Sequence, residues 1–303
     1  MRTRRQFLRE AAAGGAAAML AGRVTSLAAG RTNAASPWAS RMGLELYTVR
    51  DLLATDYEGT LAKVAAIGYT EVEATSYNDM PPKAFRAMLD RCGLRMPSTH
   101  APARGEGADL ERMLEGFRIM GLEYTEIARP SPAGRSLDAV ERRAQQLNED
   151  GKLAQKFGMK ILVHNHVTEF EPLTDSPRTT FDVIVEQTDP ALVAMQLDVG
   201  WAYVAGVDPL ALFTAHPGRF ELWHVKDVFG LKTVNPSLGP GARVSSMSFV
   251  PVGTGQIDWK AVFAQAQPAG LRHFAVEQDN AAAWGDSLAA ARVSYEHLVK
   301  LLS

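Results

Sequence analysis

Six times along this chain a helical pattern stops at a glycine and a strand-like run begins: at Gly68, Gly93, Gly121, Gly158, Gly218 and Gly270. Gly158-Met159-Lys160-Ile161-Leu162-Val163 is typical. Glycine suits the left-handed backbone just past a helix C-terminus, so each junction reads as one helix ending and one strand starting. Two more strands complete the set. Met42–Tyr47 opens it, and Val193–Asp198 follows a helix that ends near Asp189-Pro190 without the glycine. Eight strands alternating strictly with helices imply parallel pairing through right-handed crossovers. The pattern predicts an α/β chain folded as a (β/α)8 TIM barrel. A doubly wound open sheet is the alternative, weakened by the lack of a Gly-rich phosphate turn after the first strand. Local signals agree. Leu110, Met113, Leu114, Phe117 and Met120 form one apolar stripe. Pro82 and Pro209 suit first helical turns, and Ser136 and Asp258 suit N-caps.

The strands carry a second pattern. Val193/Met195/Leu197, Trp223/Val225 and Phe274/Val276 are apolar, while the other parity holds Gln196/Asp198, His224/Lys226 and His273/Glu277. Side chains alternate faces along a strand, so the apolar set meets outer helices and the polar set points into the barrel. The fifth strand ends in His164-Asn165-His166, with Glu169 close behind. Polar groups at the C-terminal mouth of such a barrel mark an active site. Residues 228–256, rich in Gly, Pro and Ser, follow the seventh strand and read as a substrate-covering loop.

The N-terminus is not part of this fold. Arg4-Arg5 with Phe7-Leu8, an Ala/Gly-rich run to about Ala21 and small residues near Ala28-Ala29 resemble a twin-arginine (Tat) export signal. Residues 1–29 are assigned to that signal, 30–40 to a flexible leader and 41–303 to the barrel. The Tat translocase is then the expected export partner, and the periplasm the expected location. Losing residues 1–29 removes Arg2, Arg4, Arg5, Arg9, Arg23 and Glu10, turning 32 basic and 34 acidic residues into 27 and 33, a net charge of −6. That charge argues against nucleic acid or an anionic membrane as partner. The single cysteine, Cys92, excludes an internal disulfide, and no stable membrane span is expected.

Asp198, His224 and Glu277 end strands six, seven and eight, and His164 or His166 ends strand five. Carboxylates and imidazoles on adjacent strand ends suit one divalent cation, Mn²⁺, Co²⁺, Zn²⁺ or Fe²⁺. A polar substrate pocket without metal is the plainer alternative. Lys226, His166, Glu169 and Glu277 are candidate acids and bases; His100, Glu73, Trp201 and Asp227 are candidate substrate contacts.

Several pieces resemble the xylose isomerase-like TIM-barrel superfamily, in its sugar phosphate isomerase/epimerase branch. They are Leu46-Tyr47-Thr48-Val49-Arg50-Asp51, His164-Asn165-His166 with Glu169-Phe170, Leu197-Asp198-Val199-Gly200-Trp201, His224-Val225-Lys226-Asp227, Gly253 and Gly255 before Ile257-Asp258-Trp259, and Val276-Glu277-Gln278-Asp279. The resemblance implies one divalent metal held by Asp198, His224 and Glu277. In the epimerases the strand-five ligand is a glutamate that also works as a base; here His164 or His166 takes its place. Trp201 likewise replaces a histidine of that branch. The departure disfavours symmetrical two-glutamate proton transfer.

The resulting expectation is a metal-dependent isomerase, epimerase or lyase that removes a proton next to a carbonyl of a carbohydrate or keto-sugar. Two rivals stand beside it. One is a non-catalytic periplasmic sugar-binding or accessory protein. The other is an endonuclease-IV-like phosphodiesterase, opposed by the seven histidines and the negative charge.

Overall fold

The computed structural model describes residues 36–129, 134–231, 244–245 and 247–303. The eight expected strands are β1 (Met42–Glu45), β2 (Glu71–Ala74), β3 (Arg95–Thr99), β4 (Tyr124–Thr125), β5 (Lys160–His164), β6 (Val193–Asp198), β7 (Leu222–Val225) and β8 (His273–Val276). They form one parallel sheet in the order β3-β2-β1-β8-β7-β6-β5-β4. Between the two ends, the Glu123 amide donates to Pro97 O at 2.8 Å, and Ala103 bridges Ile127. The result is a (β/α)8 barrel.

All six junction glycines have positive φ, from +69° at Gly93 to +125° at Gly68. The helix before β6 needs none. It ends at Thr188 with φ −98°, where the Thr188 hydroxyl donates to Ile184 O at 2.6 Å and Asn148 Oδ1 accepts from the Asp189 amide. Ser136 and Asp258 cap their helices, and Pro82 and Pro209 sit in first turns.

Strand parity decides the layers. Ile161, Val193, Met195, Leu197, Trp223, Val225, Phe274 and Val276 join the main core against the helices. Trp223, fully buried, stacks on Phe213 with ring centroids 4.7 Å apart. Inside the barrel, Tyr124, Leu162, Ala194 and Leu222 form a small apolar layer. Along β5, β6 and β7 the next inward positions are His164, Gln196 and His224. The apolar layer therefore floors a polar one.

After β7 the chain makes a two-stranded antiparallel ribbon, 227–229 against 248–250. The tip of the expected covering loop, 232–243, lies outside the described residues, as do the export signal at 1–29 and leader residues 30–35. Residues 36–40 of the leader are structured. Pro37–Ser40 forms a 3₁₀ turn, capped by Ser36 and tied to the last helix by Ser36 N–H to Leu302 O at 2.9 Å. Trp38 packs on the core there, which anchors the segment. Among the described residues no helix is long and apolar enough to cross a membrane.

Candidate active site

Asp198 is level with His224 in the β6–β7 register, and both face inward. Asp198 also caps the following helix, Val199–Ala205: its Oδ1 accepts from the Trp201 amide at 2.8 Å. Asn165 clamps the Asp198 backbone from β5, accepting from its N–H at 3.0 Å and donating to its carbonyl at 3.3 Å. Oδ2 is thereby left pointing at the barrel axis side chains. Gly200 is required by the same turn, since a Cβ there would stand 2.5 Å from Lys226 O.

Around Asp198 Oδ2 gather His164 from β5, His224 from β7 and Glu277 just past β8, with one donor atom from each of the four within 4.8 Å of the others. His164 Nε2 is 3.2 Å from His224 Nδ1 and 3.5 Å from Asp198 Oδ2. Glu277 Oε2 is 2.6 Å from His224 Nδ1. The first two are close to the edge lengths of a coordination shell with bonds of about 2.0–2.2 Å, and the third is shorter than such an edge. Asp198 Oδ2 and Glu277 Oε2 are buried and make no hydrogen bond of acceptable geometry. Lys226 Nζ lies 3.0 and 2.9 Å from them, and 3.0 Å from Asp279 Oδ1. Two buried anionic oxygens without hydrogen bonds, beside two imidazole nitrogens, fit a divalent cation. Of the two strand-five candidates, His164 is the one in the cluster.

The cluster floors a cavity of about 310 Å³. His166 faces it from above His164, exposed, with ring centroids 4.8 Å apart. Trp201 forms one wall, edge-on to Phe249 from the returning ribbon at 4.8 Å. His100 borders it too, stacked on His224 at 5.2 Å.

Electrostatics divide these groups. Burial pushes His164 down to about 3. For His224 burial acts the same way, but the Glu277 and Glu73 carboxylates outweigh it and raise the value well above the usual one. His100 is likewise lifted, against burial, to about 10 by Glu73. Burial opposes ionisation of Asp198 and Glu277, yet Lys226 beside them holds both below the usual carboxylate range. Asp279 is pushed up to about 7 by burial, with Lys226 pulling the other way.

Three sequence candidates sit elsewhere. Glu73 is buried beneath the cavity, against His224 and Gln196, and does not line it. Glu169 lies in a 3₁₀ turn where its carboxylate accepts from the His166 amide at 2.8 Å, bracing the turn behind the cavity wall. Asp227 points away from the barrel axis, is occupied by five N–H donors that tie the ribbon to the turn at 253–259, and does not line the cavity. The physical reason is parity: His224 and Lys226 face in, and Asp227 faces out.

Several cavity residues went unassigned in the sequence. Asp279 is the clearest, and its signal was available, being the next inward position after Glu277. Tyr47 and Thr75 also border the cavity, and so does Glu45, which strand parity already turns inward. Glu45 is buried, and burial together with Glu73 raises its carboxyl well above the usual range.

Known proteins share this arrangement of strands. Residues 61–297 match the family described as "Xylose isomerase-like TIM barrel". Inosose dehydratase of Lacticaseibacillus casei is 25% identical over 254 residues, spanning 75% of this chain and 84% of that protein. The crystal structure of a sugar phosphate isomerase/epimerase from Parabacteroides distasonis ATCC 8503 has TM-score 0.67 and 20% identity, covering 88% of this chain and 96% of that one. The IOLI protein with a binding zinc atom has TM-score 0.64 and 14% identity, covering 87% and 98%. The match over residues 61–297 places this chain in the xylose isomerase-like TIM barrel family.

Proposed function

We propose that this protein is a divalent-metal-dependent enzyme that removes a proton next to a carbonyl of a carbohydrate or keto-sugar, with loss of a β leaving group as the favoured outcome. One observation carries the reading: His164, Asp198, His224 and Glu277 converge at the floor of an open cavity, with two buried carboxylate oxygens lacking hydrogen bonds. The likeness to proteins named inosose dehydratase supports elimination over epimerisation. A cation held by these four residues would supply Lewis-acid polarisation of the substrate carbonyl and its neighbouring hydroxyl.

The protein's own groups do the rest. Lys226, ringed by three carboxylates at about 3 Å, places a fixed positive charge where the enolate oxygen develops. His166, after β5, and the Glu277/Asp279 pair, after β8, both line the cavity as proton-transfer groups. One takes the α proton. The C–O bond to the leaving group then breaks, its electron pair leaves with oxygen, and that oxygen takes a proton from the other group. His164 Nε2 is turned into the cluster, so strand five offers no second carboxylate base there. That asymmetry is what favours elimination. Export through the Tat route would set this chemistry in the periplasm.

The experiment is elemental analysis of the purified protein, followed by turnover of free ketoses, inososes and 3-keto-glycosides in D₂O. One metal per chain and elimination products with solvent deuterium are expected. Metal-loaded protein that binds these sugars without turning any over would instead support the sugar-binding reading. Efficient two-way epimerisation of a free ketose with no elimination would overturn the one-sided chemistry.

A further inference from the structure

Behind His224, on the side away from the cavity, a buried carboxylate is held by the facing strands. Glu73 on β2 is 1% exposed. The Ser98 hydroxyl donates to its Oε2. Gln196 Nε2 donates to both of its oxygens, at 3.0 and 2.8 Å. His224 Nε2 lies 2.5 Å from Oε1. An ionised carboxylate only accepts, so the His224 proton facing it sits on Nε2. The remaining nitrogen, Nδ1, faces Asp198 and Glu277, and by the same rule it carries a proton for Glu277 that a bound cation would displace.

The same logic runs one step further. Gln196 spends its amide nitrogen on Glu73, so its carbonyl oxygen must accept. The partner at 2.7 Å is His100 Nε2, which therefore carries a proton as well. His100 Nε2 is also 3.2 Å from Glu73 Oε1. The two rings stack, with their planes 21° apart.

We propose that Glu73 is a positioning residue for both histidines. It holds His224 with its proton on Nε2 and Nδ1 turned to the cation, and through Gln196 it fixes the ring of His100 at the cavity wall. Carboxylates behind ligating histidines act in this way generally, setting ring orientation and ligand basicity. The metal half of the proposal rests on the function proposed above; the hydrogen-bond half does not. Glu73, His100 and His224 could themselves be read as a second metal site. The geometry opposes this, because the facing atoms are already joined to one another or to Gln196 and Ser98 by hydrogen bonds.

The test uses Zn²⁺ as the probe on the full chain, with Glu73→Ala, Glu73→Gln and Gln196→Leu. Zinc affinity is read by chelator competition, imidazole protonation by ¹⁵N chemical shifts, and folding by thermal melts. Glu73→Ala should weaken zinc by roughly 10–100-fold and move the His224 ring signals. Glu73→Gln, which keeps an acceptor but not the charge, should lose less than Glu73→Ala but fall measurably below wild type. Gln196→Leu should leave zinc affinity near wild type while the His100 signals move. The proposal is overturned if folded Glu73→Ala keeps wild-type zinc affinity and His224 shifts. It is equally overturned if two zinc ions bind per chain and Glu73→Ala removes one. Should Glu73→Ala not fold, wild-type affinity in folded Glu73→Gln decides against it. A wild-type protein that takes no zinc counts against the function proposed above, and the His100 signals in Gln196→Leu still test the hydrogen-bond half.

Discussion

Asp227→Asn separates a brace from a substrate contact. The Asp227 side chain is fully buried and accepts five N–H groups. Oδ1 takes the amides of Val228 at 2.9 Å and Ile257 at 3.3 Å. Oδ2 takes those of Gly253 at 2.9 Å and Gly255 at 3.1 Å, and Trp259 Nε1 at 3.0 Å. Asparagine keeps one acceptor and turns the other oxygen into a donor. Its cheaper orientation puts the NH₂ at the Oδ1 position, where two N–H groups then face a donor. Each buried donor left unsatisfied costs about 1–3 kcal/mol, so the loss is roughly 2–6 kcal/mol, centred near 4. At about 2–4 °C per kcal/mol for a domain of this class, Tm should fall by about 10 °C. Differential scanning calorimetry reads the shift, and elemental analysis at a temperature well below it reads the metal. Metal content should be unchanged, because Asp227 does not line the cavity. A wild-type Tm combined with lost substrate binding would refute the bracing argument and return Asp227 to the site.

The remaining expectations concern the metal, the proton path, export and pH. His164→Ala and Asp198→Ala should each lose metal and activity together, read by elemental analysis; stoichiometric metal in an Asp198→Ala/His224→Ala/Glu277→Ala triple variant would refute the site. His166→Ala and Lys226→Ala should keep the metal and lower turnover by roughly 10²–10⁴-fold, since each removes a group that moves or stabilises charge on substrate. Arg4→Lys with Arg5→Lys should leave the precursor in the cytoplasm on fractionation, because the paired arginines are read by a receptor and not as charge alone. At the far end of the barrel, His273 Nδ1 bonds Glu71 at 2.7 Å, and against burial Glu123 and Glu71 raise its pKa. A raised folded value means its stabilisation is complete below the unfolded value of about 6.5 and fades as pH climbs through the folded one. The Tm gap between wild type and His273→Gln should therefore be widest below that pH and narrow above it; a gap that widens with rising pH would refute the assignment.

The parts of this molecule that could be read in advance are those set by local chemistry. A glycine past a helix needs only its own φ, and Gly68 through Gly270 took it. Facing inward needs only the period of two, which puts Asp198, His224 and Glu277 on one face with both His164 and His166; the structure sets His164 among them. The same period, carried one residue beyond Lys226, already turned Asp227 outward. It says nothing about Glu169, because the chain leaves β5 at His164 and enters a 3₁₀ turn, where alternation no longer holds. Depth was the larger gap. Glu73 and Glu277 both face in, yet one lies under the site and the other forms it. What separates them is the stagger of strands around the barrel, which brings Glu73 level with Ser98 on β3 and joins it to Gln196 and His224, 123 and 151 residues away. No window of sequence spans those pairings. Parity thus tells which side chains share the barrel interior, and only the register tells which of them meet substrate and which hold the others in place.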